Sequence, residues 1–131
     1  MTLVDLVDDT FVVADPARVA ALVDDPACWR RWWPDLTLTP SERRGPKGVR
    51  WTVSGPLVGT SEIWLEPYAD GVLVHYYLRA DPVAGVPTSA SARRRLAARL
   101  RRRHALAWKR TVHALKDDLE AARRPGEPRA D

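Results

Sequence analysis

The sequence predicts a single α+β domain in which a curved antiparallel sheet packs against one long C-terminal helix. Residues 91–123 contain neither proline nor glycine and are rich in Ala, Leu, Arg and Lys, which are strong helix formers. Segments between residues 49 and 80 alternate apolar and polar side chains, as strands with one buried face do. A chain of 131 residues has room for one core, so the sheet and the helix are expected to bury each other's apolar faces.

Local signals divide the chain into eight elements. Asp15-Pro16 and Asp25-Pro26 each combine an N-cap residue with a first-turn proline, and they mark the starts of two short helices. The expected elements are a strand at 3–14, helices at 17–23 and 27–33, strands at 36–39, 49–53, 57–66 and 72–80, and the long helix at 91–123. The domain then spans residues 1–123, and the polar segment 124–131 is expected to be a disordered tail.

The composition, with 45% hydrophobic and 29% charged residues, is typical of a soluble protein. No run of 18 apolar residues is present, so no transmembrane helix is expected. The first residues lack the basic and apolar regions of a signal peptide. The single Cys28 cannot form an internal disulfide, which fits a cytoplasmic protein.

Charge is distributed unevenly along the chain. Residues 1–37 carry seven Asp and three Arg, whereas residues 90–124 carry ten Arg and two Lys against two Asp and one Glu. A basic helix suggests nucleic acid or a membrane surface as partner, but the acidic N-terminal part of the same chain accounts for some of this charge. No stacking aromatics are interleaved with the arginines, so nucleic acid is not favoured, and a weak contact with an anionic membrane is left open.

The long helix has one apolar stripe, which contains a histidine. At 100° per residue one face carries Leu100, His104, Trp108, Thr111, Leu115, Leu119 and Ala122, and the opposite face carries Arg95, Arg102, Lys109, His113, Lys116 and Glu120. His104 is therefore expected to face the core. It is either a hydrogen-bonded core residue, the lining of a cavity between sheet and helix, or a proton-transfer group.

The order of elements resembles the helix-grip fold of the START and Bet v 1-like (SRPBCC) superfamily. The resemblance is carried by Asp15-Pro16-Ala17-Arg18-Val19, by Trp29 to Pro34, by Gly59 to Glu66 and by Trp108-Lys109-Arg110. More narrowly, the chain looks like small actinobacterial proteins of the polyketide cyclase/dehydrase-like or lipid-transport-like kind. The superfamily has six or seven strands where five are counted here, so either one segment is split or the grip is shortened.

The resemblance implies a ligand cavity between the sheet and the C-terminal helix. The residues expected to line it are Trp51, Glu62, Ile63, Trp64, Tyr76, His104, Trp108 and Thr111, with Trp33, Arg93 and Arg101 at its entrance or at a ligand head group. Aromatic side chains suit flat apolar ligands, but the same rings also serve ordinary core packing. At least one of Glu62 and Trp64 is expected to reach the cavity.

Three functions follow as hypotheses. The first is binding of a small hydrophobic or aromatic ligand, lipid-like or polyketide-like, by a monomer or homodimer without a cofactor. The second is a polyketide cyclase or dehydratase that uses the same cavity, with His104 as the candidate proton-transfer residue. The third is an interaction module of the quinone-binding or ribosome-associated type with a filled core. No metal site is expected, because His104 and His113 lie on opposite helix faces and no CxxC or HExxH motif is present.

Overall fold

A five-stranded antiparallel sheet and one long helix make up most of the chain. The computed structural model describes residues 2–124 and 126–129. The elements in chain order are β1 (Val4–Val12), α1 (Pro16–Val23), α2 (Pro26–Trp32), β2 (Thr37–Arg43), a 3-10 turn (Gly45–Lys47), β3 (Gly48–Ser54), β4 (Leu57–Tyr68), β5 (Gly71–Pro82) and α3 (Ala90–Glu120). The α+β class, the two short helices after the first strand and the helix-grip arrangement are confirmed.

The strands lie in the order β1-β5-β4-β3-β2, so the N-terminal strand forms one edge of the sheet. The central pair, β4 and β5, is matched over its full length from Leu57–Pro82 to Tyr68–Gly71. The edge strand β2 extends beyond the expected residues 36–39, because its polar second half continues to pair with β3 after an irregularity between Pro40 and Glu42. Within the described residues the sheet has five strands, which makes this a shortened grip.

Both short helices begin where the Asp-Pro pairs predict. The Asp15 carboxylate accepts a hydrogen bond from Ala17 N at 3.0 Å, and the Asp25 carboxylate accepts one from Ala27 N at 2.9 Å. Each aspartate thereby satisfies a backbone donor that the first helical turn leaves free. The second helix and the residue that follows it place three tryptophans near the sheet, of which Trp29 and Trp33 are buried.

The fully buried side chains of the long helix α3 all lie in its C-terminal half. Trp108, Val112 and Leu119 are its buried residues, and no described residue between 90 and 103 is buried. The helix starts with a single side-chain cap, in which Ser89 Oγ accepts a hydrogen bond from Ala92 N at 3.2 Å. The N-terminal half is thus held by helix formation more than by packing.

Polar contacts fix the C-terminal half of α3 to β1. The Asp8 carboxylate accepts a hydrogen bond from Trp108 Nε1 at 3.0 Å and forms an ion pair with Lys109 at 2.5 Å. Further along, Lys116 Nζ donates to Phe11 O at 2.7 Å. The helical wheel placed both lysines opposite the core, which is wrong, because long side chains reach β1 along the flank of the helix.

The last helical turn is attached to the chain just after β1. The Glu120 carboxylate accepts hydrogen bonds from Val13 N at 3.1 Å and Lys116 Nζ at 2.6 Å, and pairs with Arg123 at 3.2 Å. Burial raises the pKa of Glu120, but these donors outweigh burial and hold the pKa below its ordinary value. Glu120 is therefore a charged clamp between helix and sheet at neutral pH.

Aromatic rings fill the space between the sheet and α3. We call the sheet face toward α3 the inner face and the other the outer face. On the inner side, Tyr76 and Trp108 stack with centroids 4.3 Å apart, and Trp33 stacks against each of them at 5.9 Å. These three rings form the aromatic stack, which is 2–7% exposed. Trp51 and Trp29 continue the cluster edge to face.

Two further observations concern the whole chain. None of the helices in the described part of the chain is both long and apolar enough to cross a bilayer. The disordered tail at 124–131 stays a prediction; residues 125, 130 and 131 lie outside the described residues. Within the described part of this segment, the carbonyls of Glu127 and Pro128 accept hydrogen bonds from the Arg123 side chain.

Candidate functional site

The aromatic stack occupies the position where the sequence predicted the centre of a ligand cavity. Burial raises the pKa of Tyr76 to about 12, and hydrogen bonding with the Ser61 and Trp33 side chains offsets only part of this. Tyr76 is therefore an uncharged packing group at neutral pH. Trp33, expected at the entrance, lies inside the stack instead, because it follows the last residue of α2 and turns back over the sheet.

A smaller apolar pocket remains at one end of the stack, where α3 leaves the sheet. We call it the mouth pocket; its volume is about 220 Å³. Its walls come from the N-terminal half of α3, the α2–β2 connection, the β3–β4 turn and the end of β5. The side chains used below are Leu36, Leu57, Leu96, Leu100, Arg103 and His104.

His104 is the titratable group of the mouth pocket with a perturbed pKa. Burial lowers the pKa of its imidazole, the Arg103 guanidinium lowers it further, and the Asp35 carboxylate opposes them. At neutral pH the imidazole is uncharged and offers one donor and one acceptor nitrogen. It is therefore able to hydrogen-bond a polar end of a ligand or to accept a proton.

Charged groups at the rim of the mouth pocket differ from those the sequence predicted. Arg103 lines the pocket, and its guanidinium lies 3.8 Å from the Asp35 carboxylate, with both groups exposed. Arg93 and Arg101 are exposed on α3 and do not belong to the lining. The wheel angles of the arginine run go all around the helix, so only some of its members can face any one opening.

Glu62 and Trp64 lie on the outer face, away from α3. They alternate along β4 with the buried Ser61, Ile63 and Leu65, which point to the inner face. The expectation that one of the two would reach the space beneath α3 is wrong, because neighbouring residues of a strand point to opposite faces. They belong to a different concavity, the outer pocket, whose lining includes Arg44, Arg50, Arg79, Glu62, Trp64 and Tyr77.

The other predicted cavity residues are packing residues or lie elsewhere. Trp51 and Ile63 are at most 1% exposed, on the inner face. The indole nitrogen of Trp51 has no hydrogen-bond partner among the described residues, which leaves one polar atom of the core unsatisfied. Thr111 lines a shallow groove between α2 and α3 beside Trp32. Of the predicted set, His104 alone lines the mouth pocket.

Several lining residues of the mouth pocket were missed by sequence reasoning. Leu96 had a usable signal, because it precedes Leu100 and His104 by one and two helical turns on the same face. Leu36 and Leu57 had no such signal, since both lie next to turns whose geometry decides what they contact. Among the described residues, no group of three or more His, Cys, Asp or Glu side chains is placed to hold a metal ion.

Solved structures of low sequence identity share this architecture. The solution structure of the Aha1 dimer from Colwellia psychrerythraea superposes with a TM-score of 0.59 at 14% identity, covering 92% of this chain and 99% of that chain. Protein CV1439 from Chromobacterium violaceum gives 0.57 at 14% identity, with 86% and 94% covered. EF2215 from Enterococcus faecalis, a conserved protein of unknown function, gives 0.59 at 12% identity, with 97% and 76% covered.

The chain shares its helix-grip fold with these solved proteins. Identities this low show the fold alone. No protein-family model and no curated protein matches the sequence. The narrower resemblance to polyketide cyclase/dehydrase-like proteins stays a prediction.

Proposed function

We propose that this protein binds a small apolar or aromatic ligand in the mouth pocket. The supporting observation is a pocket with leucine walls that contains one half-buried, uncharged histidine. Apolar contact with Leu57, Leu96 and Leu100 supplies most of the affinity, at about 25 cal/mol for each Å² removed from water. His104 orients the polar end of the ligand. A lipid-like or polyketide-like ligand fits this combination of apolar walls and one polar group. The protein is expected to act in the cytoplasm, as its single cysteine suggests.

The size of the pocket limits the ligand. Its 220 Å³ lies below the roughly 300–1,000 Å³ of typical small-molecule sites, so the ligand is small or displaces one wall. The wall formed by α3 is the one to move, because none of its residues from 90 to 103 is buried. Leu96 and Leu100 are half-buried and would become covered when a ligand enters.

A titration with 2-naphthol, a small uncharged aromatic, tests the proposal. Saturable chemical-shift changes at the backbone amides of Leu100 and His104 are expected. Leu100→Trp fills the pocket and should abolish them. Leu106→Trp is the matched control, since Leu106 lies on the same helix, is 46% exposed and does not line the pocket.

Either of two results would overturn the proposal: no saturable binding, or binding that Leu100→Trp leaves unchanged. Native mass spectrometry of the purified protein adds an independent measurement, because a bound ligand appears as a mass above that of the chain. Failure in both measurements would favour the interaction module with a filled core, with which the aromatic stack agrees.

A proton-transfer enzyme of the cyclase or dehydratase type is the second candidate function. The observation that favours it is the lowered pKa of His104, which provides a neutral base beside an apolar pocket. Deuterium exchange of the α-protons of a β-diketone, followed by NMR, measures such a base directly. His104→Gln should lower the exchange rate, whereas His113→Gln, on the exposed side of the same helix, should not. Equal rates in the two variants would remove His104 from this role.

A further inference from the structure

We propose that the outer pocket is a second binding site, for a flat aromatic carboxylate. The outer pocket has a volume of about 470 Å³, within the range of roughly 300–1,000 Å³ of small-molecule sites. It lies on the sheet face opposite α3, so it is separated from the mouth pocket by the sheet and the aromatic stack. The inference therefore does not depend on the function proposed above.

Strand register brings the lining residues of the outer pocket together. Glu62 on β4 lies directly between Arg50 on β3 and Tyr77 on β5. Two residues along β4 on the same face, Trp64 stands opposite Gly48, which has no side chain to cover the indole from β3. The centre of the sheet thus presents two aromatic side chains next to a row of charged ones.

The Trp64 ring is held in place from the β5 side. Its indole stacks on the His75 imidazole, with centroids 4.6 Å apart and planes 21° from parallel. His75 is in turn hydrogen-bonded at Nδ1 to Asp9 at 2.6 Å and at Nε2 to Glu66 at 3.2 Å. A ring whose neighbour is fixed by two carboxylates loses little freedom when a second ring packs on it.

Arg50 is the cation of the pocket that is available to a ligand. The Arg44 guanidinium pairs with Glu62 at 2.8 Å and with Glu42 at 3.2 Å, and Arg79 lies 3.5 Å from Asp5. Within the described part of the chain, Arg50 has no carboxylate within 4 Å. It is exposed, so no burial penalty opposes its charge.

These features select one class of ligand. A guanidinium binds a carboxylate through two parallel hydrogen bonds, and aromatic side chains pack well against a flat ring. An uncharged ring would gain nothing from the Arg50 guanidinium. A polyphosphate would meet the repulsion of Glu62 and Glu42, which face Arg50 from the two neighbouring strands. A single carboxylate meets less repulsion, because it carries one charge and both glutamates are already paired with Arg44. A flat monoanion satisfies both the aromatic and the cationic parts of the pocket.

The test uses 2-naphthoate as the probe and the six indole N–H signals of the ¹H–¹⁵N spectrum as the readout. Trp64→Phe identifies the Trp64 signal. On titration that signal should shift saturably, while those of Trp33 and Trp108 in the aromatic stack remain in place. Arg50→Met should weaken binding about tenfold or more, since it removes hydrogen bonds to a charged group.

Matched controls make the outcome specific. Arg94→Met removes an exposed arginine of α3 far from the outer face and should leave the affinity unchanged. Arg50→Lys keeps the charge without the two-pronged geometry and should fall between the wild type and Arg50→Met. Leu100→Trp, which blocks the mouth pocket, should not affect 2-naphthoate binding.

The proposal is overturned if the Trp64 signal does not move, if the indole signals of the aromatic stack move instead, or if Arg50→Met binds as tightly as the wild type. Equal affinity for 2-naphthoate and 2-naphthamide would also overturn it, because the carboxylate would then contribute nothing. Circular dichroism of each variant establishes that it is folded before binding is compared.

Discussion

Replacing Trp108 with alanine should both destabilise the protein and create a cavity that indole can refill. Trp108 is 2% exposed, stacks on Tyr76 and Trp33, and donates a hydrogen bond to Asp8. It is one of only three buried residues of α3, so the substitution removes the largest contact between the helix and the sheet. The effect on stability should be correspondingly large.

The expected cost follows from the contacts that are lost. Truncation of a buried Trp to Ala typically costs about 3–5 kcal/mol. Because Trp108→Ala also loses a hydrogen bond to a charged group, its cost should lie in the upper part of that range. Asp8 keeps its ion pair with Lys109, which prevents a larger penalty. Against a total stability of about 5–15 kcal/mol for a domain, the variant would remain folded with a small margin.

Urea unfolding followed by far-ultraviolet circular dichroism measures this difference. Leu106→Ala is the control, since that side chain is 46% exposed and its removal should change stability by no more than about 0.5 kcal/mol. Measured in a Leu100→Trp background, which fills the mouth pocket, indole at ten times its dissociation constant should restore about 1.4 kcal/mol to Trp108→Ala and nothing to Leu106→Ala. The cavity is bordered by the Tyr76 and Trp33 rings, and the Asp8 carboxylate beside it can accept the indole N–H.

Two results would refute this account of the core. A loss below about 1 kcal/mol in Trp108→Ala would mean that the aromatic stack does not attach α3 to the sheet. In the Leu100→Trp background, equal stabilisation by indole of the protein that keeps Trp108 would mean that the interior is not filled. If Trp108→Ala does not fold, Trp108→Phe keeps an aromatic ring but loses the bond to Asp8, and should cost about 1–3 kcal/mol.

Three further outcomes are expected from the same unfolding measurements. The pKa of His104 is lowered in the folded state, so the unfolded state takes up the proton first and stability is lost as the pH falls below about 6.5. His104→Gln should lose less stability than the wild type between pH 7 and 5, and equal losses would contradict this. Gly48→Ala should cost about 3 kcal/mol or more, because φ is +111° and a Cβ would lie 2.0 Å from Ile63 O. Gly45→Ala, with φ of +60° and open space around it, should cost about 1 kcal/mol. Similar costs for the two variants would show that the clash at Gly48 is relieved. Glu120→Gln should cost about 1–2 kcal/mol at pH 7 and progressively less as the pH falls through the lowered pKa of the wild-type carboxyl. If the difference in stability between the variant and the wild type does not depend on pH, the charge of Glu120 is not what stabilises the fold.

The sequence was sufficient for the element order because those signals are local. The Asp-Pro pairs fix the starts of α1 and α2, and the run without proline or glycine fixes α3 to within a few residues at each end. The parity of β1 was not predictable from hydropathy. Asp8 lies on the inner face of β1, where it accepts the Trp108 hydrogen bond, and that partner is 100 residues away.

The candidate site was less predictable, because it depends on which face each strand turns toward the helix. The aromatic residues Trp51, Tyr76 and Trp108 were expected together, and the structure brings them together as packing. Glu62 and Trp64 belong to the opposite face, which their alternation with Ile63 could have indicated. The volume left beneath α3 depends on where Trp33 turns after α2, and no periodicity in the sequence reports that.

The uneven attachment of α3 has a consequence for limited proteolysis. Arg93, Arg99 and Arg101 are exposed in a part of the helix that no buried side chain anchors, so the local unfolding that a protease needs is inexpensive there. Trypsin should cut first in this part of the helix and spare the bonds after Lys109 and Lys116, whose side chains hold the helix to β1. The nicked protein would keep its C-terminal fragment bound through Trp108, Val112 and Leu119, while the loose end carries the α3 wall of the mouth pocket away from it.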